Sequence, residues 1–203
     1  GPDGNLYVAD NDNSCVRIVR PSGQTLTYVR QADFSHPFGL AFAPDGTLYV
    51  QTDGNDRGSR NFDTGTLWRV DRETGHATPL ARDLGRPRGL AVIPDGRVVM
   101  VDNEHHVIRV FDPSTAVISD LAGVRDTPGF AEGAGAEARF DRPYDVVVVG
   151  DTPRDVACAR AGGARCVAVT TGAHGPDALA GADAVARDLH EVAGILAGWL
   201  AAA

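Results

Sequence analysis

The tripeptide Pro-Asp-Gly occurs three times, at residues 2–4, 44–46 and 94–96, at spacings of 42 and 50 positions. Proline presets φ for the second position of a turn, and Asp and Gly tolerate the turn and its left-handed exit. Each copy is therefore a tight link between two strands, such as Leu40–Ala43 to Thr47–Thr52 and Leu90–Ile93 to Arg97–Asp102. Upstream of the second and third copies stand His36-Pro37-Phe38-Gly39-Leu40 and Arg86-Pro87-Arg88-Gly89-Leu90, and a further segment of this kind is Arg142-Pro143-Tyr144-Asp145-Val146. Two more strands are expected per repeat: Thr66–Asp71 with Ala77–Ala81, and Val107–Phe111 with Ala116–Leu121. Four short strands per ~45 residues is the period of a propeller blade. Each blade buries its faces against its neighbours, so one blade is not stable alone.

The run RPRGLAVIPDGRVVMVDNEHHVIRVFD, followed by LAGVRDTPGFAEGAGAEARFDRP, resembles NHL-repeat β-propellers, with gluconolactonase-like propellers as close relatives. The resemblance covers residues 1–149 and implies a binding scaffold whose function lies in rim residues. The first blade lacks its first strand, because the chain begins at the turn. The second and third are complete, and Tyr144–Val149 is expected to open a fourth. Propellers use about 4–8 blades. The expectation is therefore an exposed flank, an open arc, or closure through a second copy. In the last case a homodimer completes the propeller, with Tyr144–Val149 of one chain filling blade one of the other.

Composition breaks near residue 145: residues 1–144 hold 13 alanines, and the 59 residues 145–203 hold 16. This predicts two domains, propeller blades over 1–144 and a small α/β segment over 145–203. Residues 145–172 read DVVVVGDTPRDVACARAGGARCVAVTTG. Four consecutive valines predict a strand buried on both faces, as in parallel sheets. Pro153 suits the first helical position, and Asp155 falls in the first turn, where the helix dipole favours an anion. Gly162-Gly163 ends that helix, Cys166–Thr170 is the next strand, Ala182–Ala186 another, and His190–Leu200 a closing amphipathic helix. Chemistry in such a sheet belongs at the strand's carboxyl end, where Asp151 lies.

This stretch resembles the C-terminal part of haloacid-dehalogenase (HAD) superfamily phosphatases of the phosphoglycolate phosphatase type. The match is Gly150-Asp151-x-x-x-Asp155, the Ala161-Gly162 helix end and the Val169-Thr170-Thr171-Gly172 loop. It implies a Rossmann-like fragment and a metal role for Asp151 and Asp155, in keeping with the preference of Mg²⁺ for carboxylates, waters and phosphate oxygens. The fold class is thus mixed, an all-β partial propeller of about three blades followed by a small α/β HAD-like fragment. The family's DxDx(T/V) nucleophile motif has one spacing match, Asp10-Asn11-Asp12-Asn13-Ser14, which reads better as a blade turn. Asp112-Pro113-Ser114-Thr115 lacks the second aspartate, and Asp71-Arg72-Glu73-Thr74-Gly75 lies on a hairpin. No helical cap domain is visible. All 19 basic residues are arginine, so the family's phosphate-holding lysine has no counterpart.

A net charge of −8 with no basic run argues against nucleic acid as a partner. No stretch of 18 apolar residues exists, which argues against a membrane span. Three cysteines, Cys15, Cys158 and Cys166, with no CxxC spacing, read as buried free thiols in a reducing compartment. With no signal peptide, the expected location is cytoplasmic, and a chain starting Gly1-Pro2 reads as a fragment or processed chain. His105 and His106 are adjacent, so their side chains diverge and cannot easily share one ion. They read as an exposed blade loop, with Asp102, Asn103 and Glu104 beside them at the propeller mouth. Gluconolactonase-like relatives hold a divalent ion there, though no full ligand set maps onto this chain. His36 and Arg86 read as structural, and His174 as a solvated loop residue. The polar insertion Asp53–Asp63, with Asn61, is placed to cover a binding face. No Ser-His-Asp constellation is recognisable.

Three functions follow. The first is a propeller scaffold for a protein or small-molecule ligand, with a non-catalytic Mg²⁺-binding segment appended. The second is an Mg²⁺-dependent phosphomonoesterase, and the third a metal-dependent lactonase.

Overall fold

The computed structural model describes every residue except Pro94, Val146, Gly163, Ala164, Ala202 and Ala203. The third turn's proline, the first valine of the run and the second glycine of the helix stop thus lie outside the described residues, as does the side chain of Cys158.

Three antiparallel sheets follow one another along the chain. The first is β1 (Leu6–Asp10), β2 (Cys15–Val19) and β3 (Thr25–Val29), in that order. The second is β4 (Pro37–Phe42), β5 (Leu48–Thr52), β6 (Thr66–Val70) and β7 (Ala77–Ala81). The third is β8 (Pro87–Val92), β9 (Val98–Asp102), β10 (Val107–Asp112) and β11 (Val117–Gly123). Sequential order with short links is the meander of a propeller blade. The missing opening strand of the first sheet is as the repeat spacing predicts. Gly4, Gly46 and Gly96 all have positive φ, so each Pro-Asp-Gly turn needs its glycine.

The blades bury their faces on one another. Between the first and second, Phe34, Leu48, Val50 and Trp68 form a core, with the Phe34 and Trp68 rings edge-on at 5.3 Å. The indole N–H of Trp68 donates to Thr52 Oγ1 at 2.7 Å, so the buried ring leaves no polar atom unpaired. Between the second and third lie Tyr49, Leu67, Leu84, Leu90, Met100 and Phe111. β4 and β8 run close together, and a Cβ on Gly39 would stand 2.7 Å from the Arg88 carbonyl oxygen. This is why glycine follows Phe38. The outer faces stay open, with Leu6 of the first blade and Val117 of the third exposed. The three sheets together make a partial propeller, an incomplete arc of blades.

The remaining sheet is parallel: β12 (Val147–Gly150), β13 (Arg165–Val169) and β14 (Ala184–Ala186). Helix α1 (Pro153–Gly162) connects the first two strands, and α2 (Leu189–Ala201) closes the chain. β13 is sandwiched. Cys166 and Ala168 face Val156 and Ala159 of α1, while Val167 and Val169 face Val192, Leu196 and Trp199 of α2. Helix α1 also packs on β4 and β8, which joins the two kinds of sheet. Cys15 is a buried free thiol, and Cys166 is buried as well.

The expected fourth blade strand is corrected. Val147–Gly150 pairs in parallel with Arg165–Ala168, in the register Val147↔Arg165 to Gly150↔Ala168. The segment before it does take a blade-opening position. Asn103 Nδ2 donates to the Pro143 carbonyl at 3.0 Å, as Asn11 Nδ2 donates to that of Pro37. The valines then leave the arc because β13 offers them a strand covered on both faces. No helix among the described residues is long and apolar enough to cross a membrane.

Candidate functional site

Two places gather chemistry-bearing side chains. The first is one end of the arc, where loops from the second and third blades meet. β9 ends in Asp102, only 1% exposed. Its Oδ1 accepts the His105 backbone N–H at 3.1 Å, and its Oδ2 lies 2.8 Å from His105 Nδ1. His105 Nε2 lies 3.1 Å from Asp63 Oδ1 and 3.9 Å from Asp126 Oδ1. The two ring nitrogens thus face carboxylates on opposite sides. Arg109 and Arg125 reach Asp102 at 3.8 and 4.0 Å. Burial, with repulsion from Arg125, lowers the Arg109 guanidinium below the usual arginine value, against the pull of Asp120 and Asp102. Gly85, at φ +65°, backs onto this pair, and a Cβ there would collide with Asp102 and His105.

The exposed-loop expectation for His105 and His106 is therefore corrected, since His105 is buried and the His106 side chain nearly so. The two rings do diverge as expected: His106 Nδ1 accepts the Arg142 backbone N–H at 2.9 Å, away from the Asp102 pair. Asp63 brings the end of the polar insertion to His105. Its sequence separation of 42 from His105 left no signal for the pairing itself. His36 and Arg142 both have positive φ immediately before a blade-opening proline, and Arg86 accepts the Asn103 N–H through its carbonyl. Arg88 was missed altogether. Its guanidinium donates to Asp53 Oδ1 at 3.0 Å and covers the Phe38 ring at 4.1 Å, with Tyr144 at 5.9 Å. Beside the His106 loop a groove of about 780 Å³ is lined by Phe130, Glu132, Arg139, Phe140 and Asp141, and Phe130 is 96% exposed.

The second place is the carboxyl end of β12. Thr152 caps α1, with Pro153 at its first position. Asp155 Oδ2 accepts the Thr152 backbone N–H at 3.0 Å and its hydroxyl at 2.7 Å, and the Asp155 N–H donates to Thr152 Oγ1. This is a reciprocal capping box. Asp151 is half-buried and points its carboxylate at Gly172, where a Cβ would run into it. The two predicted metal residues are thus neighbours with different duties. The Asp151 carboxylate fits a hard cation, whereas an oxygen of Asp155 is already spent on the helix. Among the described residues no group of three His, Cys, Asp or Glu side chains is placed to hold a metal ion. His174 is half-buried in the loop beyond Gly172.

The aspartates weighed as nucleophiles are engaged in turns. Asp10 accepts from Asn13 and faces Arg17 at 3.5 Å. Asp71 accepts from Thr74 and Asp112 from Ser114, and these bonds hold both carboxyls below the usual range.

Comparison with known proteins places these features. The NHL repeat family matches residues 84–111, and the HAD-hydrolase-like family matches residues 127–192 weakly. The virginiamycin B lyase of Nocardia farcinica is 34% identical over 99 residues, 47% of this chain and 31% of that protein. The chain thus spans about a third of the length of the curated relative it matches. Among solved structures, virginiamycin B lyase from Staphylococcus aureus has a TM-score of 0.53 at 17% identity, over 72% of this chain and 43% of that one. A Bacteroides thetaiotaomicron protein of unknown function reaches 0.56 at 20% identity, over 71% and 39%. An auxiliary nutrient binding protein from the same organism reaches 0.52 at 19% identity, over 71% and 40%. The antiparallel part of the chain is therefore a partial propeller with NHL-type and virginiamycin B lyase-like homologues.

Proposed function

We propose that the chain is a propeller-type binding module whose ligand face is the end built around His105, and that its parallel segment holds Mg²⁺ at Asp151 without turning over a phosphomonoester. The observation that carries this reading is the use of the carboxylates. Asp10, Asp71 and Asp112 are each engaged in a turn of an antiparallel blade, whereas Asp151 follows a strand of the parallel sheet. Bound Mg²⁺ would supply charge to hold a phosphate or another anion. Asp151 would be its protein ligand, and Asp155 would fix the Asp151 loop through the Thr152 cap. On the propeller side, the open groove at Phe130 and the acids around His105 suit a small, partly apolar ligand bearing a positive or hydrogen-bond-donating group.

A second reading, an Mg²⁺-dependent phosphomonoesterase, is favoured by the HAD-hydrolase-like match across residues 127–192. One assay separates the two: turnover of p-nitrophenyl phosphate with and without Mg²⁺, with Asp151→Asn as control, alongside calorimetric Mg²⁺ titration. The binding-module reading expects no turnover and a weak Mg²⁺ isotherm lost in Asp151→Asn. Mg²⁺-dependent turnover abolished by that substitution would overturn it.

A further inference from the structure

We propose that His106 is a pH-sensitive latch on the crossover from the third blade to the parallel sheet: its unprotonated ring holds the Arg142 backbone, and protonation releases it. The role of the ring follows from its partner. His106 Nδ1 stands 2.9 Å from the Arg142 backbone nitrogen. A peptide N–H only donates, so Nδ1 is the acceptor, and it accepts only while it carries no proton. Asn103 Nδ2, on the same turn, donates to the next carbonyl along, that of Pro143, at 3.0 Å. The turn between β9 and β10 thus grips residues 142 and 143 at two points. Arg142 has φ +49°, a left-handed conformation that a residue with a β carbon adopts at a cost. The grip offsets that cost.

The first blade carries the same grip without the titratable group. Asn11 and Ser14 have the spacing of Asn103 and His106. Asn11 Nδ2 donates to the Pro37 carbonyl at 3.0 Å, and Ser14 Oγ accepts the His36 backbone N–H at 3.3 Å. His36, like Arg142, has positive φ before its proline. A hydroxyl oxygen accepts at any ordinary pH, whereas an imidazole takes up a proton as pH falls from about 8 to about 5. Of two like joints, one is therefore gated by pH. Asp141 Oδ1, on the crossover, lies 3.6 Å from His106 Nδ1 and is the ready acceptor once that nitrogen gains a proton. Arg125 and Asp126, from the loop after β11, face Asp102 and His105, and Arg109 of β10 faces Asp102 as well. Glu104 and His105 stand on the ring's own turn, and Arg142 follows Asp141 on the crossover. Acid thus exchanges the contact with Arg142 for one with Asp141. The latched form needs a proton-free Nδ1, so by linkage protonation favours the released form. The crossover also carries Tyr144, whose ring centre lies 6.1 Å from that of Phe38 and 5.9 Å from the Arg88 guanidinium. Asp141 and Pro143 line the groove beside Phe130. Release acts on both.

The test follows hydrogen exchange at single amides of the ¹⁵N-labelled full chain by nuclear magnetic resonance, from about pH 8 to about pH 5, corrected for the intrinsic pH dependence of exchange. The Arg142 amide should lose about fivefold to tenfold of its protection in acid, the worth of one hydrogen bond. The midpoint of that loss should match the titration of the His106 ring. His106→Asn is the control, since Asn tolerates the left-handed turn and its side-chain oxygen accepts at the reach of Nδ1 whatever the pH. In that variant the Arg142 amide should stay protected throughout, and in His106→Ala it should be unprotected throughout. Should Asn fail to hold the amide, the match of the two midpoints in the parent chain decides. The proposal is overturned by unchanged protection in the parent chain, by a midpoint apart from that of the ring, or by an Arg142 amide that stays protected in His106→Ala. So too is it by the same acid loss in His106→Asn, which is what a general loosening of the fold would give.

Discussion

Asp102 and Asp151 stand in comparable places, each at the carboxyl end of a strand and each followed by a turn, yet they are opposites chemically. Asp102 is buried and faces His105, Arg109 and Arg125. Its charge is satisfied inside the protein, and it organises the loops that meet around it. Asp151 is half-buried against Gly172 and makes no hydrogen bond or ion pair among the described residues. The difference shows that position at a strand end does not tell whether a carboxylate serves the fold or a ligand. The partners of its oxygens do.

The sharpest way to break the contrast is to remove each charge. Asp102→Ala removes the buried carboxylate that His105 and Arg109 share and should cost about 3–5 kcal/mol, the penalty for taking one partner out of a buried pair. Asp151→Asn should stay within about 0.5 kcal/mol of the parent chain. Urea denaturation followed by circular dichroism measures both, and equal losses would erase the distinction. The next effect is at Gly85, where alanine meets both a positive φ and the Asp102–His105 pair. A loss of about 2 kcal/mol or more is expected in the same experiment. A smaller loss, about 1 kcal/mol, is expected for Thr152→Ala, which removes the cap that Asp155 shares. If Asp155 positions the Asp151 loop, this variant should also weaken Mg²⁺ binding in a calorimetric titration.

Asp3 lies between the extremes, exposed but bonded to Asn5 and to the Tyr7 hydroxyl. Burial, reinforced by that bond, pushes Tyr7 up to about 12. The sign is that of a raised group: its stabilising contribution is complete below the ordinary tyrosine value of about 10 and is lost as pH rises through about 12. Ultraviolet titration should show Tyr7 ionising late, and Tyr7→Phe should flatten the loss of stability between those limits. This is the smallest of the four effects.

What could be read in advance follows the range of the interactions. The Pro-Asp-Gly turns and the strands beside them are local, and their chemistry is written within a few residues. The parallel segment was equally legible, because a valine run, a proline at the helix start and a glycine stop are short-range signals. The partner of Val147–Gly150 was not, since Arg142-Pro143 announces a blade and Gly150-Asp151 announces a parallel strand within one apolar run. Geometry divides them, with Pro143 held by Asn103 and Val147 taken by Arg165. Burial of His105 escaped notice because it depends on Asp63 and Gly85, which approach from another blade. At the carboxyl end of β12 the spacing Gly150-Asp151-x-x-x-Asp155 singles out both acids, but the capping role of Asp155 emerges only with its bonds to Thr152.

Helix α1 lies on β13 within its own sheet and also on β4 and β8 of the arc. Melting the parallel segment would therefore strip cover from the two innermost strands of the antiparallel part. Loss of the blades would in turn deprive the helix of its outer support. Heat should accordingly dismantle the chain in one cooperative transition, with a single calorimetric peak, although its two kinds of sheet carry unrelated patterns of sequence.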